Sequence, residues 1–384
     1  MIFDFATANR ILFGEGLIAK GGILAKEFGR RALVVTGSTV ERAQPLLDVL
    51  EQANFEVTTF SVPGEPTVAL AKEGLDLAKS SDAEIVIGFG GGSPIDAGKA
   101  IAALVTNSDD PLEFLEVIGQ GKPLTNDPLP YIAIPTTAGT GSEVTRNAVL
   151  ASKEHNVKVS LRSAKMIPDI ALIDPVLTYS VPPEVTAYTG MDALTQVIEP
   201  YLTRKRNAFT DAFAREGMLR GSGTLVHAFQ DGGDQEARRQ MAFTSLMGGL
   251  SLANAGLGAA HGFAGPFGGM YDAPHGAICA ALLPHVMDVN LLRIRESEEN
   301  KELLKRFADV AGFLTGAPHA TAEDGVQWLK SLAATLEIPS LGVYGFTRED
   351  FDTLIEKASV SSSMKGNPIE LSKSDMALIL ERAI

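Results

Sequence analysis

The first half of the chain alternates short runs rich in β-branched residues with stretches whose apolar residues recur at helical spacing. This alternation is typical of a parallel sheet with helices on both faces, because each connection between parallel strands needs a crossover, usually a helix. It predicts an α/β domain with a nucleotide-binding fold. The predicted strands are 32–36, 56–60, 85–88, 131–134 and 170–173, and the predicted helices are 40–52 and 69–78.

The pattern changes near Pro182. Beyond it, stretches rich in Ala, Leu, Met and Glu follow one another without a convincing strand, which favours an all-helical second domain. The 384 residues are enough for two domains of ordinary size. We therefore expect a nucleotide-binding domain at 1–182 and a helical domain at 183–384.

Charge and cysteine usage exclude several classes of partner. The 33 basic and 47 acidic side chains leave a net charge of -14, which repels nucleic acid and anionic lipid surfaces. The N-terminus does not resemble a signal peptide, and no uninterrupted apolar run is long enough to span a bilayer. The single cysteine, Cys279, excludes an internal disulfide, is most simply a small buried apolar residue, and fits a reducing cytoplasm. We expect a cytoplasmic protein that binds neither nucleic acid nor membrane.

A glycine-rich turn follows the predicted strand 85–88. In the run IVIGFGGGSPID at 85–96, Gly91, Gly92 and Ser93 lead into a helix that we expect Ser93 to open, with Pro94 in its first turn. Glycines let backbone N–H groups close on a pyrophosphate, and the positive end of the helix attracts it. A tight turn with nothing bound explains the same residues, and the spacing is not that of the ordinary dinucleotide fingerprint.

A second loop of this kind is IPTTAGTGSEVT at 134–145, which supplies hydroxyls and backbone donors at the end of the next strand. Its Ser142 and Glu143 are suited to opening another helix. Loops at the carboxyl ends of parallel strands converge where ligands bind in doubly wound sheets. The two loops together favour a dinucleotide site.

The second half contains a possible metal site. A predicted helix at 189–200 places Asp192 and Gln196 one turn apart on the same face. His261 and His275 flank a glycine-rich segment that we expect to be a loop. A carboxylate and two imidazoles suit zinc with an open position or a ferrous facial triad, although histidines beside glycines also occur as simple helix ends.

The remaining histidines are weaker candidates. His155, His227 and His319 are in polar or helix-surface contexts. His285 could line the same cleft as the metal site, but its sequence context does not require it.

Motifs spread from end to end resemble those of the iron-containing alcohol dehydrogenase family. They are GGGSPID at 90–96, IPTTAGTGSEVT at 134–145, GMDAL at 190–194, YDAPHG at 271–276 and MKGNP at 364–368. The resemblance implies a Rossmann-like α/β N-terminal domain with a parallel sheet and an all-α C-terminal domain. This architecture is similar to that of dehydroquinate synthase, with metal and nicotinamide facing each other across a cleft.

The resemblance also implies the activity, an NAD(P)-dependent alcohol dehydrogenase or carbonyl reductase. A divalent metal, Fe²⁺ or Zn²⁺, would polarise the oxygen of a small alcohol, aldehyde or ketone for hydride transfer to or from nicotinamide C4. Catalysis would depend on Asp192, His261 and His275, with Gln196 at the fourth metal position. Relatives commonly associate, so we expect a homo-oligomer, with a dimer as the simplest case. The expected cofactor residues are Gly37, Ser38, Gly91, Gly92, Ser93, Asp96, Thr136, Thr137, Thr140, Asn147, Lys158 and Leu177.

Two residues depart from the family's iron-binding branch, which has histidines at the positions of Gln196 and Gly265. The amide oxygen of Gln196 is a weaker ligand than imidazole, so a lower metal affinity or a different metal is expected. Gly265 leaves room for a bulkier substrate and removes a candidate proton carrier.

The turn that follows the strand 32–36 bears on the choice of cofactor. NAD-specific relatives have an acid there for the adenosine ribose, whereas this chain has Thr36-Gly37-Ser38-Thr39. A 2′-phosphate would not be repelled and could accept hydrogen bonds from Ser38 and Thr39, which favours NADP over NAD.

Two alternatives to a dehydrogenase remain open. One is a lyase like dehydroquinate synthase, which uses bound NAD, although the metal segments lack the cationic side chains that its substrate would need. The other is a family member that has lost its metal and only binds nucleotide, suggested by Gln196 and Gly265.

Overall fold

The computed structural model describes residues 2–152, 154–155, 157–296 and 298–384. These residues form two compact units. One consists of Ala6–Thr137 and Gly141–Thr178, and the other of Tyr179–Ile384 together with Ala138–Thr140 and residues 2–5. We call them the sheet unit and the helical unit.

The sheet unit is built on a six-stranded, fully parallel sheet with the order β1-β8-β5-β4-β2-β3. All five predicted strands are confirmed. One edge strand, β1, was not predicted; its residues are exposed or only partly buried, unlike those of β8, which has the same length. The strands of this sheet are β1 (Arg10–Phe13), β2 (Arg31–Thr36), β3 (Glu56–Ser61), β4 (Ile85–Gly90), β5 (Tyr131–Pro135) and β8 (Ile170–Ile173).

An antiparallel hairpin accompanies this sheet and was not predicted. It pairs β6 (Asn147–Ser152) with β7 (Val157–Arg162). The side chains of β6 alternate between buried and partly buried positions, as expected for a strand with one covered face. The sequence of β6 shows this period of two, but we did not recognise it between the predicted strands 131–134 and 170–173.

Helices cover both faces of the parallel sheet. On one face Leu46 and Leu50 of α2 pack against Val34 and Ile87. On the other face Ile95 and Ile101 of α4 pack with the opposite side chains of the same strands. The helices of the sheet unit are α1 (Gly21–Ala25), α2 (Gln44–Gln52), α3 (Val68–Ser80) and α4 (Gly92–Val105).

Three local predictions in this unit were wrong in detail. The helix expected at 40–52 is a 3-10 turn at Val40–Ala43 followed by α2, which starts where Pro45 needs no N–H partner. Helix α4 begins at Gly92 with Gly91 as its N-cap, so Ser93 does not open it. Ser142 and Glu143 open only a 3-10 turn, Ser142–Val144.

The strand order creates a switch point between β2 and β4. The chain leaves β2 through α2 towards β3 on one side, and leaves β4 through α4 towards β5 on the other. Because the two helices lie on opposite faces, the carboxyl ends of β2 and β4 border a crevice, the usual ligand position in open α/β sheets. The turn at Gly37 and Ser38 and the turn at Gly91 and Gly92 follow these two ends.

The helical unit contains no strand among its described residues, as the sequence predicted. Its helices are α5 (Pro183–Leu202), α6 (Ala208–Gln230), α7 (Gln235–Ala255), α8 (Ala259–Met270), α9 (His275–Ile294), α10 (Lys301–Thr315), α11 (Ala322–Thr335), α12 (Phe351–Ser359) and α13 (Lys373–Ala383). In the described part of the chain, α9 alone is long and apolar enough to cross a membrane, and 78% of its apolar window is buried within the protein, as in the core helix of a globular domain.

Candidate active site

Helix α5 presents three polar side chains in its buried face. Asp192, Gln196 and Glu199 follow one another at intervals of four and three residues, so they lie along one side of the helix. All three are at most 4% exposed. Gln196 Nε2 donates a 2.9 Å hydrogen bond to Asp192 Oδ2, which leaves Asp192 Oδ1 available.

His261 lies in the first turn of α8. The glycine-rich segment after it, which we expected to be a loop, is this helix, and the expectation was therefore wrong. Phe263 and Phe267 are fully buried and supply the packing that makes the segment helical. Gly262 lets the segment at Met364 approach α8 closely, since a Cβ on residue 262 would lie 3.0 Å from Met364 Cα.

Glu199 fixes the orientation of His261. Its Oε2 lies 2.7 Å from His261 Nδ1, and its Oε1 accepts a 2.7 Å hydrogen bond from the Ala260 N–H. A carboxylate acceptor at Nδ1 keeps the proton there, so the Nε2 lone pair of neutral His261 points away from Glu199. Glu199 was not predicted as a site residue, although it lies one turn beyond Gln196 in the same predicted helix.

The His261 Nε2 atom faces Asp192 Oδ1 at 3.2 Å. Both atoms are buried without a hydrogen-bond partner. A lone pair and a carboxylate oxygen repel each other unless a proton or a cation lies between them. These two atoms therefore mark a position that requires positive charge.

The pKa shifts express the same preference. Burial alone would lower the pKa of His261, but its contacts with Cys279, Asp192 and Glu199 raise it well above its ordinary value. Burial would raise the pKa of Asp192, yet contacts with His261 and His275 hold it below its ordinary value. The site thus stabilises a negative carboxylate and a positive neighbour.

His275 completes the group from the start of α9. Its Nε2 lies 3.6 Å from Cys279 Sγ, one turn further along the helix. Gly276 lets α9 begin against α5, because a Cβ there would lie 2.5 Å from the Tyr188 carbonyl oxygen. One donor atom each from Asp192, His261, His275 and Cys279 lies within 4.8 Å of the others.

These residues fit a divalent cation. The donor set joins a carboxylate with two imidazoles, and two of its atoms are buried with no other partner. Gln196 contributes differently from what we expected: its amide nitrogen faces Asp192, and its Oε1 is buried without a partner beside Gly248. Its role as a ligand stays a prediction.

Segment 364–368 holds the two histidine-bearing helices together. The Asn367 and Asn290 side chains exchange hydrogen bonds of 2.8 and 3.1 Å, which ties the segment to α9. Asn367 Oδ1 also accepts the Ala259 N–H, the first of α8, at 3.3 Å. This motif therefore positions His261 relative to His275.

Gly265 and His285 differ in their relation to this group. Gly265 lies one turn beyond His261, and a Cβ there would meet nothing within 4 Å, so a side chain would extend into open space. His285 lies outside the four-residue group. Burial and the charges of Lys330 and Arg382 lower the pKa of His285 to about 4.

In the sheet unit, the predicted phosphate residues lie at the ends of the central strands. Gly91 caps α4, and its φ of -74° is open to any residue. The Thr136 N–H donates to the Gly90 carbonyl oxygen at 2.8 Å, which places Thr136 and Thr137 beside the glycine turn. Gly37 follows β2, where its carbonyl oxygen accepts a 3.0 Å hydrogen bond from the Ser61 hydroxyl, and Ser38 is exposed.

Asp96 lies one turn inside α4 and bonds to the backbone and side chains around it. Its Oδ2 accepts the Val149 N–H at 2.9 Å, and its Oδ1 contacts the Ser142 hydroxyl and, at 3.0 Å, Lys99 Nζ. Lys99 is fully buried and donates in addition to Thr145 Oγ1 at 3.0 Å. Asp96 thereby connects α4 to the hairpin, and its assignment to the cofactor stays a prediction.

The other predicted cofactor residues lie in several elements. Asn147 begins β6, and Lys158 in β7 forms a 3.1 Å ion pair with Glu65. Leu177 lies in the 3-10 turn Pro175–Thr178 and packs against the core of the sheet. Thr140 belongs to the short segment that groups with the helical unit.

Two family models match the chain. The model described as iron-containing alcohol dehydrogenase covers residues 8–175, and the model described as the C-terminal part of the Fe-containing alcohol dehydrogenase family covers residues 186–384.

Named relatives match over nearly the full length. Alcohol dehydrogenase 4 of Saccharomyces cerevisiae is 34% identical over 378 residues, covering 97% of this chain and 96% of the relative. The 1,3-propanediol dehydrogenase of Klebsiella pneumoniae is 33% identical over 395 residues, covering 100% of this chain and 99% of the relative. A crystal structure of a 1,3-propanediol oxidoreductase superposes with a TM-score of 0.92 at 32% identity and covers 100% of both chains.

Proposed function

The chain belongs to the iron-containing alcohol dehydrogenase family and is an oxidoreductase that interconverts alcohols with aldehydes or ketones, and we propose that Asp192, His261 and His275 hold its catalytic divalent metal. One observation carries this proposal. Asp192 Oδ1 and His261 Nε2 are buried, unpartnered and 3.2 Å apart, an arrangement that a shared cation relieves.

The surrounding residues preorganise this donor set. A bound divalent cation supplies the positive charge that stabilises alkoxide character on the substrate oxygen. Glu199 holds His261 with its Nε2 lone pair free, and Gln196 occupies the second oxygen of Asp192. Fully buried side chains of α8 and α9, among them Phe263 and Ile278, keep water from the back of the site and strengthen its electrostatics.

The nicotinamide cofactor is proposed to bind through its pyrophosphate at the amino end of α4. The glycines there leave backbone N–H groups accessible, and the first four N–H groups of a helix have no partner within it. We favour NADP because the turn after β2 contains Gly37 and Ser38 and no acid before Val40. Initial rates with NADPH and NADH at equal concentration measure this preference.

We infer the metal and the substrate class from Gln196 and Gly265, the two residues that differ from the family's iron-binding branch. Gln196 stands where the iron-binding branch has a third histidine, so this set has one imidazole fewer than that branch, and we favour zinc over iron on this ground. The open space at Gly265 favours substrates larger than the shortest alcohols. The assay panel therefore includes both small and bulky aldehydes.

We expect Asp192→Ala and His275→Ala to abolish turnover and metal binding while the nicotinamide still binds. Each substitution removes one ligand of the proposed cation but does not change the sheet unit. Metal analysis of protein purified without chelator, nicotinamide oxidation on the aldehyde panel and a fluorescence titration of the cofactor measure the three properties. His227→Ala, an exposed histidine on α6, is the matched control.

The same measurements decide between the open alternatives. Full activity in either variant contradicts the assigned role. A wild-type protein without metal or turnover indicates a family member reduced to nucleotide binding. Bound NAD that is not consumed in the presence of aldehydes indicates a lyase.

We further propose a cytoplasmic homo-oligomer, with a dimer as the simplest case. The lone thiol is buried and unpaired to any other cysteine, which fits a reducing compartment. Light scattering on the purified protein measures the assembly.

A further inference from the structure

Cys279 is the chain's single cysteine and lies in the wall of the candidate metal site. It is fully buried on α9, one turn beyond His275. In sequence it looked like a small apolar residue, whereas the structure places its Sγ 3.6 Å from His275 Nε2.

Two separations within the donor set, from different residue pairs, match edges of a tetrahedral zinc site. With zinc bonds of about 2.0 Å to nitrogen or oxygen and 2.3 Å to sulfur, the edges of a tetrahedron are roughly 3.5 Å for N–S and roughly 3.3 Å for N–O. The observed separations are 3.6 Å for His275 Nε2 to Cys279 Sγ and 3.2 Å for His261 Nε2 to Asp192 Oδ1.

A second observation that does not involve the cysteine points to the same position. His261 Nε2 and Asp192 Oδ1 belong to side chains that are 6% and 2% exposed, and neither atom has a hydrogen-bond partner. One ligand atom of each of these two side chains lies within 4.8 Å of Cys279 Sγ. Two buried side chains thus offer metal-ligating atoms that have no hydrogen-bond partner, and both lie close to the thiol.

We propose that Cys279 Sγ is a fourth protein ligand of the resting metal site, which becomes an Asp-His-His-Cys tetrahedron selective for zinc over ferrous iron. This inference rests on the proposed function. When the metal binds, the thiol releases its proton to solvent as the sulfur–metal bond forms, and no electron is transferred. Thiolate sulfur favours zinc over harder cations. A fourth protein ligand also means that substrate must displace the thiolate or raise the coordination number to five.

Cobalt substitution tests the inference without using enzyme activity. Metal-free full-length protein is titrated with Co²⁺ alone and its absorption spectrum recorded. A thiolate ligand gives a near-ultraviolet sulfur-to-cobalt charge-transfer band in addition to the visible bands of the bound ion. Because the chain has one cysteine, that band can have only one origin.

We expect the charge-transfer band in the wild type and its complete loss in Cys279→Ser, while the visible bands persist in both. Calorimetry in buffers of different ionisation enthalpy adds a second readout: metal binding to the variant should release about one proton fewer. Nicotinamide affinity and the melting curve show whether the variant is folded.

The outcomes separate this inference from the function on which it depends. Visible cobalt bands without a charge-transfer band in the wild type overturn the role of Cys279 and leave the three-residue site intact. No cobalt binding by the wild type overturns both. If Cys279→Ser does not fold, the wild-type spectrum alone decides.

Discussion

At the scale of single residues, Glu143 is the least expected feature. It is 2% exposed in the turn after β5, and its Oε2 has no hydrogen-bond partner. Burial raises the pKa of Glu143 to about 7, although the charge of Lys99 works in the opposite direction. An ordinary carboxyl of this kind titrates at 4.5. Folding therefore favours the protonated form of Glu143.

We expect this carboxyl to make the protein less stable as pH rises. Between 4.5 and about 7 the folded chain binds more protons at Glu143 than the unfolded chain, so the free energy of unfolding falls with increasing pH. The full loss is roughly 3 kcal/mol. Urea unfolding at a series of pH values should show this loss in the wild type and not in Glu143→Gln. The exposed Glu73→Gln is the control, and parallel curves for wild type and Glu143→Gln would contradict the assignment.

A candidate site residue could be proposed from sequence when its residue type is itself a common metal ligand. Asp192, His261 and His275 were singled out because a carboxylate and two imidazoles are common ligands of zinc and iron, and the structure brings the three side chains together. Glu199 and Cys279 were missed because acidic residues on helices and lone cysteines are usually unremarkable. Their importance comes from distances of 2.7 and 3.6 Å to histidines on other turns or helices, which only the fold provides.

At the scale of elements, α8 shows how tertiary packing overrides local preference. Its sequence AAHGFAGPFGGM combines residues that disfavour helices, with Pro266 in the interior. The helix forms because Phe263 and Phe267 enter an apolar cluster of the helical unit. Sequence propensity therefore favoured a loop, and burial decided for a helix.

The amino end of α4 gives an element-scale prediction. We expect Gly91→Ala to weaken nicotinamide binding by at least about tenfold, because the methyl group blocks backbone N–H groups that would contact the pyrophosphate, each worth about 1.5–3 kcal/mol. The fold should tolerate the change, since the new Cβ would be 3.4 Å from Thr137 Oγ1, an ordinary contact. A fluorescence titration measures it, with Gly223→Ala on α6 as control. Equal affinity in both variants would argue against the phosphate site.

At the scale of the whole molecule, metal and stability should be linked. A cation held, as proposed, by side chains of three separate helices would bind only the folded helical unit and would therefore stabilise it. Zinc at one hundred times its Kd should raise the free energy of unfolding by about 2.7 kcal/mol. Thermal unfolding with zinc and with chelator measures the difference. Asp192→Ala should lose this response, and an undiminished response in that variant would place the metal elsewhere.

The sequence predicted the parallel sheet and the change to a helical architecture, because both are written in hydrophobic periodicity over many residues. It did not predict the hairpin β6–β7, because the period of two in β6 is short and was not recognised, and the register of the hairpin depends in addition on its pairing partner. The glycine turns were recognisable, yet their helix boundaries were not, since Gly91 caps α4 without a side chain.

Helix α5 carries Asp192, Gln196 and Glu199. Gln196 donates a hydrogen bond to Asp192, and Glu199 orients the imidazole of His261. Because these three side chains lie on one helix, a movement of α5 shifts them together and preserves their relative positions. Substitutions that aim to change the metal preference should therefore leave α5 unchanged and start from α9, which supplies His275 and Cys279.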